Sequence, residues 1–160
     1  IRYMKPEDMP DILSIEDNCF EFPWSKEDFT RCLHQRNCIG MVAEHENRIA
    51  GFMIYELNKK QLHILNFAVH SAYRRKGVGN QMIEKLIGKL SQEGRTRITL
   101  AVRDGNTPAH LFFQSMGFKA LTVLRDYYDD TTESAYVMNY NLHNSDGMHS
   151  LGNQMERSDS

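Results

Sequence analysis

The chain has 160 residues, of which 41% are hydrophobic, so it can bury one core but is too short for two ordinary domains. Its 19 basic and 21 acidic side chains are mixed along the sequence, and the formal net charge of -2 favours neither nucleic acid nor an anionic membrane surface. No stretch approaches the roughly 18 apolar residues that span a bilayer, and the opening lacks the apolar run of a signal peptide. We therefore expect a cytoplasmic protein without nucleic-acid or membrane partners, either a monomer or a weak dimer.

The first part of the sequence predicts two helices followed by three strands. Apolar residues from Pro6 onward have helical spacing, and Ser25 with Asp28 resembles the capping box that begins a helix. Polar turns then separate three strand-like segments, which are Ile39–Glu44, Ile49–Leu57 and Leu62–Val69.

The second part predicts two more helices and three more strands. Apolar residues at a period near 3.6 predict a helix over 78–93 that Gly94 ends, and Asn106 caps another helix that ends at Gly117. The remaining predicted strands are Ile98–Val102, Phe118–Leu124 and Ala135–Leu142, the last two joined by the loop Asp126–Thr132. The domain is thus expected to cover residues 1–142, and the polar residues 143–160 to be a disordered tail.

The segment between the third strand and the long helix is built to bind an anion. Its sequence, Tyr-Arg-Arg-Lys-Gly-Val-Gly-Asn, places two glycines where a ligand can approach the backbone and leads into a helix whose first N–H groups lack internal acceptors. The basic side chains add positive charge. Taken alone, the segment is equally typical of a tight turn before an exposed helix, and it is neither a P-loop nor a dinucleotide fingerprint. The residues concerned are Arg74, Arg75, Lys76, Gly77, Val78, Gly79 and Asn80.

This segment resembles the acetyl-CoA signature R-x-x-G-x-G of the GNAT N-acetyltransferases. The resemblance extends over residues 2–142 and implies an α+β fold with a central mixed, mostly antiparallel sheet flanked by about four helices. It also implies that acetyl-CoA is the cofactor. In such a protein the backbone of Phe67, Ala68 and Val69 pairs with the pantetheine arm, while Asn106 and Phe113 lie beside the cofactor.

Two further segments resemble the branch that acetylates the N-terminal alanine of ribosomal proteins. They are Phe22-Pro23-Trp24-Ser25 near the start and Arg125-Asp126-Tyr127-Tyr128 near the end, and in that branch they flank the substrate groove. The resemblance implies that Phe22, Pro23, Tyr127 and Tyr128 contact an acceptor, the N-terminal amine of a protein or peptide such as a ribosomal protein. Ordinary packing of these aromatic residues is the alternative.

The chain departs from that branch at its catalytic positions. Ala101 stands where the branch has a glutamate base, and Phe113 stands where it has a tyrosine acid, so neither role carries over. His63 and Tyr127 are the candidates for proton transfer, and a structural role for His63 is the alternative. The three cysteines and seven histidines lack metal-ligand spacing, so no metal is expected.

The sequence leaves three hypotheses for function. The first is acetyl transfer to an N-terminal α-amine by direct attack on the thioester. The second is an N-acetyltransferase of small-molecule amines. The third is a module that binds acyl-CoA without catalysis, which Ala101 and Phe113 favour.

Overall fold

The computed structural model describes residues 1–125 and 134–142, so the predicted loop Asp126–Thr132 and the tail 143–160 lie outside the described residues. Within them the chain forms seven strands, four α-helices and two short 3-10 turns. In chain order these are β1 Arg2–Tyr3, a 3-10 turn Pro6–Asp8, α1 Met9–Cys19, α2 Lys26–Leu33, β2 Cys38–His45, β3 Arg48–Leu57, β4 Gln61–Val69, a 3-10 turn Ser71–Tyr73, α3 Val78–Glu93, β5 Arg97–Arg103, α4 Thr107–Ser115, β6 Lys119–Leu124 and β7 Ala135–Asn141.

The strands belong to one sheet in the order β1-β2-β3-β4-β5-β7-β6. The pairs β1–β2, β2–β3, β5–β7 and β6–β7 are antiparallel. The contacts within the chain group it into two compact units, residues 1–58 with 64–86, and residues 59–63 with the described residues from 87 onward. The predicted α+β class, with a mostly antiparallel sheet and four helices, is confirmed.

The first unit is built around an apolar cluster that α1 and α2 share with the sheet. Ile12, Phe29 and Phe52 in this cluster are fully buried, and Trp24 packs against it at its edge. The capping box predicted for α2 is present, since Ser25 Oγ accepts from Asp28 N–H and the Asp28 carboxylate accepts from Ser25 N–H. Because each side chain satisfies one otherwise unpaired N–H group, α2 begins where the sequence predicts.

A glycine in β3 lets helix α3 pack closely against the strands of the first unit. A Cβ atom at Gly51 would lie 2.9 Å from Ala68 O and 3.2 Å from Met82 Sδ, closer than ordinary contacts. Met82, Ile83 and Leu86 of α3 are all fully buried. The residue without a side chain at position 51 therefore determines how near the first half of α3 lies to β3.

Helix α3 has the predicted bounds, and Gly94 follows it in the left-handed conformation with φ of 75°. That conformation suits glycine because a Cβ atom makes it unfavourable for other residues.

The second unit has a core rich in aromatic rings. Phe113 and Phe118 are almost fully buried with ring centroids 5.3 Å apart, and the ring of Tyr140 lies 5.6 Å from that of Phe118. Phe118, predicted to begin a strand, lies in this core one residue before β6. Among the helices of residues 1–125 and 134–142, none combines the length and apolar character that crossing a membrane requires.

Strand β1 is absent from the sequence-based prediction. It is two residues long, and long-range ion pairs hold it in place. Arg2 donates to both carboxylate oxygens of Asp8 at 2.9 Å and to Glu44 Oε1 at 2.9 Å. Because these partners lie 6 and 42 residues away in sequence, no local pattern could reveal the strand.

Candidate active site

Hydrogen bonds to β3 and within the turn fix the segment that joins β4 to α3. His70 N–H donates to Ala50 O of β3 at 2.8 Å, and the His70 Nδ1 atom accepts from Ala72 N–H at 3.0 Å. Tyr73 N–H then donates to His70 O at 2.9 Å. These bonds fix the path of the chain for the four residues that leave the strand.

The next residues, 74–80, are those that the sequence predicts to form an anion cradle. Arg75 and Gly77 both adopt the left-handed conformation, with φ of 61° and 82°. A non-glycine residue seldom adopts this conformation. When left-handed residues alternate with right-handed ones, successive N–H groups turn toward one point. Helix α3 begins at Val78, and Gln81 N–H donates a hydrogen bond to Gly77 O at 3.0 Å. The N–H groups of residues 78–80 are in the first turn, where a helix supplies no acceptor, so they suit a bound diphosphate.

The backbone at Gly77 is open to a ligand. Apart from Gly77 and its chain neighbours, no heavy atom of residues 1–125 and 134–142 lies within 4 Å of the position that a Cβ atom would occupy there. Within residues 1–125 and 134–142, Arg74, Arg75 and Lys76 form no ion pair with a carboxylate, so their charge is not neutralised by that part of the protein. The shape and charge of the cradle both fit the diphosphate of coenzyme A.

Arg74, which the sequence predicts to bind the cofactor, also makes two hydrogen bonds within the protein. Its Nε atom donates to Val69 O at 3.2 Å, and its Nη2 atom donates to Cys19 Sγ at 3.1 Å. These bonds tie the cradle to the end of β4 and to the end of α1. A guanidinium has five N–H donors, so this anchoring leaves others that can bind a phosphate.

Val69 lies at the predicted pantetheine-binding end of β4, together with Phe67 and Ala68. Because His70 N–H points to β3 and neighbouring peptide groups of a strand alternate in direction, the N–H and C=O of Val69 point away from β3. Val69 O accepts from Arg74, so the N–H group is the part of Val69 that suits a ligand. The side chain of Ala68 is buried, and that of Phe67 is half-buried on the other face.

The second unit contains the other two predicted cofactor residues. Asn106 caps α4, since its Oδ1 atom accepts from Ala109 N–H at 3.3 Å, and its side chain is exposed. Phe113 is only 4% exposed, and its ring packs against Phe112 and Phe118. Contact of Asn106 and Phe113 with the cofactor stays a prediction.

His63, the candidate base, makes a specific polar contact in the second unit. Its Nδ1 atom lies 2.7 Å from Thr99 Oγ1 on β5, and the imidazole is half-buried. Two residues further along β5, Ala101 is half-buried opposite Val137 of β7. This part of β5 therefore offers a hydroxyl that orients an imidazole, and no carboxylate at position 101.

The predicted acceptor residues are only partly described. Phe22 is 39% exposed and Pro23 is exposed, in the segment between α1 and α2. Trp24, next to them, instead packs edge-to-face on Phe29 with ring centroids 5.1 Å apart. Tyr127 and Tyr128 lie outside the described residues, so their roles stay predictions.

Sequence analysis missed a buried carboxylate in the first unit. Glu16 is 2% exposed, and it accepts hydrogen bonds from Trp24 N–H and from Asn66 Nδ2, each at 2.9 Å. Burial raises the pKa of Glu16 above its ordinary value, and these two hydrogen bonds oppose the rise. An available signal was the position of Glu16, which follows Ile12 and Ile15 on the apolar face of a helix.

Comparison with known proteins identifies the family of this chain. Residues 9–118 match the model of the acetyltransferase (GNAT) family. The ribosomal protein bS18-alanine N-acetyltransferase of Escherichia coli strain K12 is 30% identical over 140 residues, which cover 86% of this chain and 94% of that protein. The crystal structure of the E. coli ribosomal-protein-S18-alanine N-acetyltransferase matches with a TM-score of 0.79 at 28% identity, over 88% of this chain and 91% of that one. Arabidopsis thaliana NAA60, solved with acetyl-CoA, has a TM-score of 0.76 at 17% identity, over 88% and 97% of the two chains.

The chain therefore belongs to the GNAT acetyltransferase family. It is an N-acetyltransferase, and acetyl-CoA is its acyl donor. The fold expected from the sequence resemblance is confirmed.

Two glycines that differ in backbone conformation test the cradle. Gly77→Ala and Gly88→Ala each place a methyl group that, apart from the adjoining backbone, meets no atom of the described residues within 4 Å. Of the two glycines, only Gly77 has a left-handed φ. We expect Gly77→Ala to lower the free energy of unfolding by about 1–2 kcal/mol, and to weaken acetyl-CoA binding on the order of tenfold by shifting the cradle amides. Gly88→Ala, inside α3, should raise the free energy of unfolding by roughly 0.5–1 kcal/mol.

Urea denaturation measures the first quantity and calorimetric titration with acetyl-CoA the second. Equal effects of the two substitutions on binding would show that the left-handed turn is not part of the cofactor site.

Proposed function

We propose that this enzyme transfers acetyl from acetyl-CoA to the N-terminal α-amine of a protein or peptide, with a ribosomal protein that begins with alanine as the first acceptor to try. The observation that carries the proposal is the 30% identity to the E. coli bS18-alanine N-acetyltransferase over 94% of that relative's length. Phe22 and Pro23 are exposed apolar residues next to Trp24, which packs against the apolar cluster of the first unit. Ribosomal proteins are made in the cytoplasm, so we place the reaction there.

An α-amine is an easier acceptor for this reaction than a lysine side chain. Only the neutral amine can attack a thioester, and an α-amino group has a pKa of about 7.7–8.0 against about 10.4 for lysine. Deprotonating lysine near neutral pH therefore costs roughly 3–4 kcal/mol more. An enzyme with alanine at position 101, in place of a basic carboxylate, is better matched to the less basic acceptor.

In the proposed reaction, the amine nitrogen forms a bond to the acetyl carbonyl carbon while the bond from that carbon to sulfur breaks. The proton lost by the amine ends on the departing sulfur, so the products are the amide and the free thiol of coenzyme A. Donors that face the developing negative charge on the carbonyl oxygen lower the barrier. Val69 N–H, which points away from β3, is the backbone donor we assign to the cofactor's acetyl end.

His63 is the residue we assign to proton removal, and Thr99 is the residue that orients it. When Nδ1 carries the proton and donates to Thr99 Oγ1 at 2.7 Å, Nε2 is unprotonated and can accept a proton, directly or through a water. Tyr127 is a second candidate for proton transfer. Tyr127 and Tyr128 are also proposed to contact the acceptor, as Phe22 and Pro23 are.

One hypothesis from the sequence, acyl-CoA binding without turnover, rested on Ala101, which carries no titratable group, and on Phe113, whose ring is packed inside the aromatic core. Because the chain belongs to the acetyltransferase family, we propose instead that residues other than these two move the proton.

Release of free coenzyme A in the presence of different amines tests the acceptor class. We expect turnover with a peptide that begins with alanine, and little with the same peptide blocked at its N-terminus but carrying a free lysine. Turnover with a polyamine or an aminoglycoside alone would assign the enzyme to small-molecule amines. Acetyl-CoA binding without turnover of any amine would favour the binding module.

The pH dependence of the reaction tests His63. His63→Ala should lower kcat/KM about 100-fold, because a positioned base supplies about that factor. The fall in rate on the acidic side of the profile should become less steep, because only protonation of the amine then causes it. Thr99→Val keeps the side-chain shape but removes the hydroxyl, and we expect a smaller loss of about tenfold. Profiles of both variants between pH 6 and 9 that overlay the original enzyme would exclude His63 as the base.

A further inference from the structure

A buried carboxylate joins three separate segments of the first unit. Glu16 of α1 uses one oxygen to accept from Trp24 N–H, in the segment before α2, and the other to accept from Asn66 Nδ2, in β4. Both distances are 2.9 Å, and Glu16 and Asn66 are 2% and 8% exposed. The two bonds cross 8 and 50 residues of sequence, so they define tertiary structure and not a local turn.

Added stability does not explain why a carboxylate is buried at this position. A buried charge must be removed from water, and apolar residues of similar volume are often as stabilising or more so. Ile12 and Ile15 show that the same face of α1 otherwise carries aliphatic side chains. What a carboxylate adds is direction, since each of its oxygens accepts a hydrogen bond from a donor at a set place.

The donors belong to segments that have predicted functions. Trp24 directly follows the exposed residues Phe22 and Pro23, and its ring packs edge-to-face on Phe29. Asn66 directly precedes Phe67, the first residue of the predicted pantetheine-binding stretch. Because side chains alternate along β4, Asn66 points into the core while Phe67 lies on the other face.

We propose that Glu16 is a positioning residue that sets the acceptor-binding segment Phe22–Pro23 relative to the cofactor-binding end of β4. The proposal rests on the proposed function, because it takes these exposed residues to contact the acceptor. Glu16 itself is buried and touches neither substrate.

The test compares three substitutions of acidic residues. Glu16→Met keeps an unbranched side chain of similar length and removes both acceptors. Glu16→Gln retains an oxygen for Trp24 N–H, and its amide can donate to Asn66 once that side-chain amide turns over. Asp17→Asn, on the exposed neighbouring residue of α1, controls for the loss of one negative charge.

For Glu16→Met we expect the KM for the acceptor peptide to rise about tenfold or more, while the Kd for acetyl-CoA stays within about twofold. Glu16→Gln and Asp17→Asn should keep both values near those of the original enzyme. Asn66→Ala removes one of the two bonds and should shift KM in the same direction, which decides the test if Glu16→Met does not fold. Equal worsening of KM and of acetyl-CoA binding would overturn the proposal, because a general loss of structure has that effect.

Trp24 gives a readout that requires no acceptor, because it is the one tryptophan in the chain. We expect Glu16→Met to shift its emission to longer wavelength and to increase quenching by acrylamide, and Glu16→Gln to leave both unchanged. An unchanged Trp24 signal in Glu16→Met would overturn the positioning role. If the original enzyme acetylates only a small amine, the KM for that amine replaces the peptide value, so failure of the proposed acceptor is distinguished from failure of this proposal.

Discussion

The close packing of α3 on β3 at Gly51 is the constraint on which the proposed cofactor site depends. Any side chain there would meet Ala68 O and Met82 Sδ, so glycine lets the helix lie directly against the strands. Met82 is one turn inside α3, and Ala68 is one residue from the end of β4. Holding these two points together also holds the end of β4 next to the start of α3, and the chain between them must turn through the left-handed residues Arg75 and Gly77.

A site built in this way depends on backbone conformation more than on side-chain identity. The N–H groups of the cradle and of Val69 are main-chain groups, so they tolerate substitution wherever the conformation is preserved. Proton transfer, by contrast, requires particular side chains, and the resemblance implies that the chain has lost both of its branch's groups at Ala101 and Phe113. The family fold therefore explains how the chain can bind acetyl-CoA without those two groups. Proton transfer requires a different residue in this chain, and we propose that His63, oriented by Thr99, is that residue.

Features with local causes could be predicted from the sequence. The bounds of α3 follow from its apolar period and from Gly94. Helices α2 and α4 begin directly after Ser25 and Asn106, because those side chains cap them. Features with long-range causes could not be predicted. The Glu16–Asn66 and His63–Thr99 contacts and the ties from Arg74 to Val69 and Cys19 join residues that only the folded chain brings together.

We propose that main-chain N–H groups at the start of α3 hold the diphosphate of the cofactor. Backbone amide NMR spectra recorded during titration with acetyl-CoA test it most directly. We expect the largest downfield shifts at the amides of residues 77–80, and we expect the same shifts with coenzyme A, which lacks the acetyl group. Saturable binding that leaves these amides unshifted while others move would contradict it.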